Sequence, residues 1–168
     1  MMAEGTIKEE AIRHPIPPVF NEHSRILILG SFPSVKSRET AFFYGHPQNR
    51  FWRVLSAVFE DALPLSIDEK RSFLLKNRIA VWDVIAECRI RGSADTSIRE
   101  ARPNDLSAIL AAAPIERIFT NGGTATALYR RHLREKTGID SIALPSTSPA
   151  NAACSLDDLI SSWHVLKE

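Results

Sequence analysis

Four short apolar runs, the first closed by a glycine, alternate along this chain with helical patterns. Arg25-Ile26-Leu27-Ile28-Leu29-Gly30 has no polar side chain between Ile26 and Leu29, the pattern of a strand buried on both faces in a parallel sheet. Residues 79–84, 115–120 and 141–144 read alike. Between them, 47–59 carries Phe51, Leu55, Val58 and Phe59 on one helical face, with Pro47 suited to the first turn. Ser66 with Glu69 forms a capping box that opens a helix through Lys76, Asn104 suits the cap of a helix over 105–113, and 122–136 reads as another. Ser155 with Asp158 opens the last helix, whose Leu156, Leu159, Ile160 and Trp163 make an apolar stripe. This alternation predicts an α/β fold, a parallel sheet sandwiched by helices with right-handed crossovers.

With 168 residues, 44% of them hydrophobic, the chain can bury the core of one domain. Pro15, Pro17 and Pro18 and the lack of periodicity assign 1–23 to a flexible N-terminal arm and 24–168 to a single domain. No apolar run approaches the roughly 20 residues that span a bilayer. The first ten residues are polar and acidic where a secretory signal is basic and then apolar, so a cytoplasmic protein without a membrane partner is expected. Cys88 and Cys154 are too few for an iron–sulfur cluster or an all-Cys zinc site, and neither a metal nor a cofactor is expected. A net charge of +1 excludes a uniformly basic surface and leaves room for local patches. Arg130, Arg131, Arg134 and Lys136 form one basic group and Arg89, Arg91, Arg99 and Arg102 a second, each open to reading as a phosphate contact or a solvated face.

Ligands of such sheets bind beyond the carboxyl ends of the strands, which directs attention to 31–49, 83–102, 121–124 and 145–153. Aromatics crowd the first of these and the helix start that follows it, from Phe42 to Trp52. Phe51 and Trp52 are expected in the core, and Tyr44 is open to a base-stacking role. Asn49 offers an amide that can hold a water or a base, or can serve as a local cap; His46 before Pro47 reads as structural. Asn121-Gly122-Gly123-Thr124 opens a helix with backbone N–H groups turned toward an anion or carbonyl, or makes a tight capped turn. Pro145-Ser146-Thr147-Ser148-Pro149-Ala150-Asn151 suits gripping a phosphate, and equally an ordinary Ser-Pro turn. A phosphate-binding P-loop, a dinucleotide glycine fingerprint and a nucleophile elbow are all missing from the sequence.

Gly30-Ser31-Phe32-Pro33-Ser34, then Tyr44-Gly45-His46-Pro47-Gln48-Asn49-Arg50-Phe51-Trp52, then Leu144 through Asn151 together resemble the uracil-DNA glycosylase superfamily over roughly 24–166. The Pro-x-Asn-Arg-Phe-Trp stretch is similar to the mismatch-specific uracil/thymine glycosylases. Ser31 and the Ser-Thr-Ser-Pro-Ala-Asn loop are closer to the hypoxanthine-DNA (deoxyinosine) glycosylase branch.

The resemblance implies a three-layer α/β/α sandwich with a central four-stranded parallel sheet. It implies damaged double-stranded DNA as partner, with single-stranded DNA as a further candidate, a monomeric enzyme, and a base flipped from the duplex into a pocket. By the same resemblance Ser31, Phe32, Tyr44 and Gly45 surround the base, Asn49 and Asn121 are the catalytic candidates, and Ser146, Thr147, Ser148 and Asn151 hold DNA. Phe32 occupies the position where most of the superfamily has the Asp or Asn that positions water. This departure moves the chemistry to Asn49, as in the hypoxanthine branch. No lysine nucleophile stands in these loops, so a monofunctional hydrolase leaving an abasic site is expected. The rivals are a mismatch-specific uracil/thymine glycosylase, a non-catalytic module for damaged DNA, and a hydrolase of free nucleosides.

Overall fold

The structure, a computed structural model, describes residues 9–168. The four apolar runs are strands β2 (Ile26–Gly30), β3 (Ile79–Asp83), β6 (Arg117–Asn121) and β7 (Ser141–Leu144), joined as one parallel sheet in the order β3-β2-β6-β7. Alternation along β2 explains its unbroken hydrophobicity. Ile26 and Ile28 enter one core, with Phe51 and Leu55 of α2 (Phe51–Phe59) and Leu159 and Trp163 of α7 (Leu156–Trp163). Leu27 and Leu29 enter a second core on the other face, with Ile109 of α4 (Ser107–Ala112) and Tyr129 of α5 (Gly123–His132). Each such fully buried side chain contributes on the order of 1.5–3 kcal/mol. The result is the three-layer α/β/α sandwich, completed by α1 (Val35–Thr40), α3 (Ile67–Lys76) and α6 (Arg134–Thr137). No helix among the described residues is long and apolar enough to cross a membrane.

Both expected capping boxes form, at Ser66 with Glu69 and at Ser155 with Asp158. Other boundaries shift for local reasons. Helix α2 starts at Phe51 rather than Pro47, because the Asn49 side chain accepts the Phe51 N–H and Arg50 is drawn to the loop after β7. The helix expected over 122–136 breaks at Leu133, whose φ of −121° is not helical, and resumes as the single turn α6. Asn104 does not cap α4. Its buried Nδ2 donates to the carbonyls of Asp83 and Ile85, 2.9 and 3.2 Å away.

A second sheet corrects the reading of 83–102 as a loop and gives 9–13 of the N-terminal arm a strand. Strands β1 (Glu9–Arg13), β4 (Ile85–Arg91) and β5 (Arg99–Pro103) pair antiparallel in the order β1-β4-β5. Charged residues and two register shifts between β4 and β5 hide the period-2 pattern, although Ile85, Cys88 and Ile90 are buried. Beyond β1 the arm stays bound, through the bridge between Val19 and Val81 and the burial of Ile16 and Val19. The part of the expected tail over 1–8 lies outside the described residues. Glu9 pairs with Arg89 and reaches Arg99, and Glu87 pairs with Arg13 and Arg102, so much of the second basic group is neutralised on this sheet.

Candidate active site

A cavity of about 330 Å³ opens at the carboxyl ends of the parallel strands, where this topology separates the connections and leaves room for a ligand. Each strand feeds it: Ser31 to Ser34 after β2, Asp83 at the end of β3, Asn121 at the end of β6, and Ser146 to Ala150 after β7. Tyr44, His46 and Asn49 line it from the stretch before α2, and Asp95 from the connection between β4 and β5.

The floor carries the unexpected chemistry. His14 Nε2 lies 2.8 Å from Asp83 Oδ2, with only 3% and 5% of the two side chains exposed. His14 Nδ1 accepts the Ile16 N–H at 3.1 Å, which leaves the ring proton on Nε2 to be donated to the carboxylate. Phe32 packs edge-on to the His14 ring, with centroids 5.8 Å apart, and Arg38 lies over Phe32. Tyr44 stands at a left-handed φ of +53° and lies flat against Phe51, with ring centroids 3.8 Å apart. One of its faces is therefore spent on the core. Its hydroxyl is buried and has no hydrogen-bond partner among the described residues. Burial pushes the pKa of Tyr44 up, Asp83 adds to the rise, and the nearby Asn121 amide opposes it.

Ser31 donates its hydroxyl to Asp95 Oδ1 at 2.8 Å. Asp95 lines the cavity and is part-exposed to solvent. Desolvation raises its carboxyl above the ordinary Asp range, with Ser31 opposing and the charge of Asp83 adding. Among the described residues no group of three or more His, Cys, Asp or Glu side chains could hold a metal ion.

The walls are tied together by side-chain amides and one arginine. Asn49 stands two residues before α2 and accepts the Phe51 N–H on Oδ1 at 2.9 Å; its Nδ2 has no protein partner among the described residues. Asn121 exchanges two hydrogen bonds with Thr147. The Arg50 guanidinium donates to the carbonyls of Ser148, Asn151 and Cys154, while its backbone N–H donates to Thr147 O. Ser146 Oγ accepts the Ser148 N–H and Ser148 Oγ accepts the Ala150 N–H, so the protons of both hydroxyls remain free to meet an anion. The Trp163 indole, reaching from α7, braces the start of this loop by donating to Pro145 O at 2.9 Å.

Of the residues singled out in the sequence, Ser31, Phe32, Tyr44, Asn49, Asn121, Ser146, Thr147 and Ser148 line this cavity. Gly45 and Asn151 do not. The Gly45 N–H is held by Ser37 Oγ, and Asn151 Nδ2 donates to Ser146 O within its own loop. Sequence reasoning missed Asp83, Asp95 and His14. Asp83 carried a usable signal, a lone acid ending an apolar strand on the ligand side of the sheet. His14 carried none, lying among prolines in a segment assigned to the arm.

An α/β/α sandwich with an amide- and hydroxyl-lined cleft over its strand ends defines a class of enzymes that admit a planar polar ligand. The profile of the Uracil DNA glycosylase superfamily matches residues 17–167. Two curated relatives are hypoxanthine DNA glycosylases. That of Methanosarcina acetivorans is 36% identical over 141 residues, covering 83% of this chain and 89% of the relative. That of Methanosarcina barkeri is 34% identical over 148 residues, covering 88% and 92%. The solution structure of a Methanosarcina acetivorans protein assigned to the uracil DNA glycosylases superposes with a TM-score of 0.77 at 30% identity, over 95% of this chain and all of the other. The chain belongs to the uracil DNA glycosylase superfamily. Its class of reaction is that of a DNA glycosylase, hydrolysis of an N-glycosyl bond.

Proposed function

We propose that this chain is a monofunctional glycosylase of base-excision repair that removes hypoxanthine from DNA and leaves an abasic site, acting as a monomer. The observation that carries the reading is the cavity at the strand ends, with the free amide of Asn49 on its wall and the serine loop at its mouth. Identity of 36% and 34% to hypoxanthine DNA glycosylases supports the choice of base.

The damaged nucleotide leaves the stack and enters the cavity base-first. Phe32 cannot orient water and leaves that role to Asn49. The reaction is dissociative: the C1′–N9 bond breaks ahead of attack and its electron pair passes into the purine. Asn49 Nδ2 holds the water that then adds to the oxocarbenium carbon, and the proton this water loses goes to the purine anion. The remaining N–H of Asn121 Nδ2, on the cavity wall, stabilises charge on the departing base, an effect on the order of several kcal/mol in a preorganised site. Ser146 and Ser148 donate their free hydroxyl protons to the flanking phosphate. No lysine among the described residues lines the cavity, which supports hydrolysis over a covalent imine.

The test is incubation of the protein with labelled duplexes carrying hypoxanthine, uracil or mismatched thymine, followed by alkali. Strand breaks at hypoxanthine that need alkali are expected. N49A is expected to lose at least about 100-fold, within the range for removing one preorganised group. N49S keeps a capping acceptor for the Phe51 N–H but lacks the amide, and so separates loss of the cap from loss of the water ligand. Cutting at uracil alone would make the protein a mismatch-type uracil glycosylase, and tight binding without cutting would make it a binding module.

A further inference from the structure

Asp83 and Asp95 are the two carboxylates on the cavity wall among the described residues, and the fold holds them differently. Asp83 is buried on the floor with one oxygen taken by His14. Asp95 is brought in by the second sheet, in the connection between β4 and β5. Three hydrogen bonds fasten that connection to the stretch after β2: Ser31 Oγ donates to Asp95 Oδ1 at 2.8 Å, the Val35 N–H to Ser93 Oγ at 2.9 Å, and Arg38 Nη2 to Gly92 O at 2.8 Å. Asp95 Oδ2 has no hydrogen-bond partner among the described residues. A part-exposed acid is thus pinned against the cavity beside Phe32, the apolar residue that follows Ser31. A base that enters first occupies the floor, so its sugar stays at the outer level, where Asp95 and the serine loop stand.

We infer that Asp95 is a further catalytic residue, whose carboxylate takes the proton of the water that Asn49 holds, with Ser31 as its positioning residue. The inference rests on the glycosylase reading and deepens it. Breaking C1′–N9 sends the bonding pair to the purine and leaves a cation on the sugar, which a nearby carboxylate stabilises. As the water oxygen bonds to C1′, one O–H bond breaks and its electron pair stays on oxygen. The proton passes to Asp95 Oδ2 and from there to the purine anion, so the carboxylate ends as it began. Ser31 occupies Oδ1 and leaves Oδ2 for this transfer. His46 also lines the cavity, but its Nδ1 accepts the Gln48 N–H, which puts the ring proton on Nε2 and leaves no lone pair to take another.

If Asp95 only pinned the connection, asparagine would serve as well, since it also accepts the Ser31 hydroxyl. The experiment measures single-turnover excision across pH 4.5–8.5 for the parent, D95N and S31A. A base must be deprotonated, so the parent rate is expected to rise with pH and level off, with its midpoint above the ordinary carboxylate range because desolvation and the charge of Asp83 both oppose ionisation. The other groups facing Asp95 are the Cys88 thiol of β4, which burial pushes up to about 11, and the Tyr44 hydroxyl, pushed higher, and both stay neutral over this range. Arg38 of α1, beside the same connection, stays charged. D95N is expected to lose at least about 100-fold and to show no rise with pH, which assigns the rise to Asp95 rather than to Asp83 or His46. S31A is expected to keep the rise and move it to higher pH, because the hydrogen bond that favours the charged form is gone. A D95N rate within about threefold of the parent, or a pH dependence unchanged in D95N, would overturn the inference. The rates are read on whichever duplex, hypoxanthine or uracil, the parent cuts, since both leave the same sugar cation. Cutting at uracil alone would overturn the choice of base and keep the test of Asp95, and no cutting by the parent would overturn both.

Discussion

Asn121 and Thr147 grip each other twice: Asn121 Nδ2 donates to Thr147 Oγ1 at 3.1 Å, and the Thr147 N–H donates to Asn121 Oδ1 at 3.1 Å. The pair ties the end of β6 to the loop after β7, and Thr147 is fully buried. Asn121 has one N–H left for the cavity and its carbonyl already engaged, so it fixes the loop first and can serve a ligand only as a donor.

Asn121→Ala is expected to leave two Thr147 groups unpaired and to cost about 1–3 kcal/mol. For a chain of this length that lowers Tm by roughly 2–4 °C per kcal/mol. Asn121→Asp keeps an acceptor for the Thr147 N–H and can accept the Thr147 hydroxyl, but offers the cavity no donor. Its melting curve should stay near that of the parent while hypoxanthine excision falls at least about tenfold, the worth of one hydrogen bond. Parent-like excision in Asn121→Asp would show that the free N–H has no part in the reaction.

Arg50→Lys tests the brace beneath the serine loop. A lysine ammonium is a point donor on a flexible stem and cannot reproduce the planar fork that spans three carbonyls. Affinity for a damaged duplex should fall about tenfold and Tm by several degrees, since hydrogen bonds to a charged group contribute roughly 1.5–3 kcal/mol. Unchanged affinity in a binding titration would mean that the loop holds itself, through Asn151 Nδ2 to Ser146 O and the Ser148 N–H to Ser146 Oγ.

The parallel sheet was legible because β2 and its neighbours are buried on both faces and so carry unbroken apolar runs. The helices α3 and α7 were legible from Ser66 and Ser155, whose caps need only contacts three residues away. The antiparallel sheet was not, because its strands pair residues such as Glu9 and Arg91, which are distant in sequence, and its charged side chains satisfy one another across strands. The same holds within the site. Asn49 and the 146–148 loop announce themselves by composition, whereas His14 reaches Asp83 across 69 positions, and only the folded chain brings them together.

The cavity should leave a signature in the pH dependence of stability. Desolvation makes the folded protein hold the Asp95 proton more tightly than the unfolded chain does. Between the two pKa values the folded state binds more protons, so stability falls as pH rises through that window and stays lower above it. Asp95→Asn still accepts the Ser31 hydroxyl and removes the charge. It should melt above the parent at pH 7, by a small margin because water screens an exposed group, and the two should converge below about pH 4. Melting temperatures for both proteins across pH 3–8 check this, and a gap as wide at pH 3 as at pH 7 would assign it to some other cause.

Gly30→Ala places a single methyl group where the floor has no room. The new Cβ would stand 2.4 Å from Asp83 Oδ1 and 2.9 Å from the Tyr44 hydroxyl, both closer than such contacts allow. The need for glycine here is steric and not conformational, since Gly30 is absent from the residues with positive φ. Neither neighbour can yield freely, because His14 holds the carboxylate and Phe51 backs the tyrosine ring. Overpacking of this kind costs about 1–3 kcal/mol, which the melting curve will register. Excision of hypoxanthine should fall further than the loss of folded protein explains, because the displaced residues line the cavity. The double variant Gly30→Ala with Asp83→Ala relieves the closest contact but leaves the buried His14 ring N–H without its acceptor, so it should regain stability only in part while excision stays low. Parent-like excision in the double variant would show that the glycine matters to the core and that Asp83 has no part in the reaction.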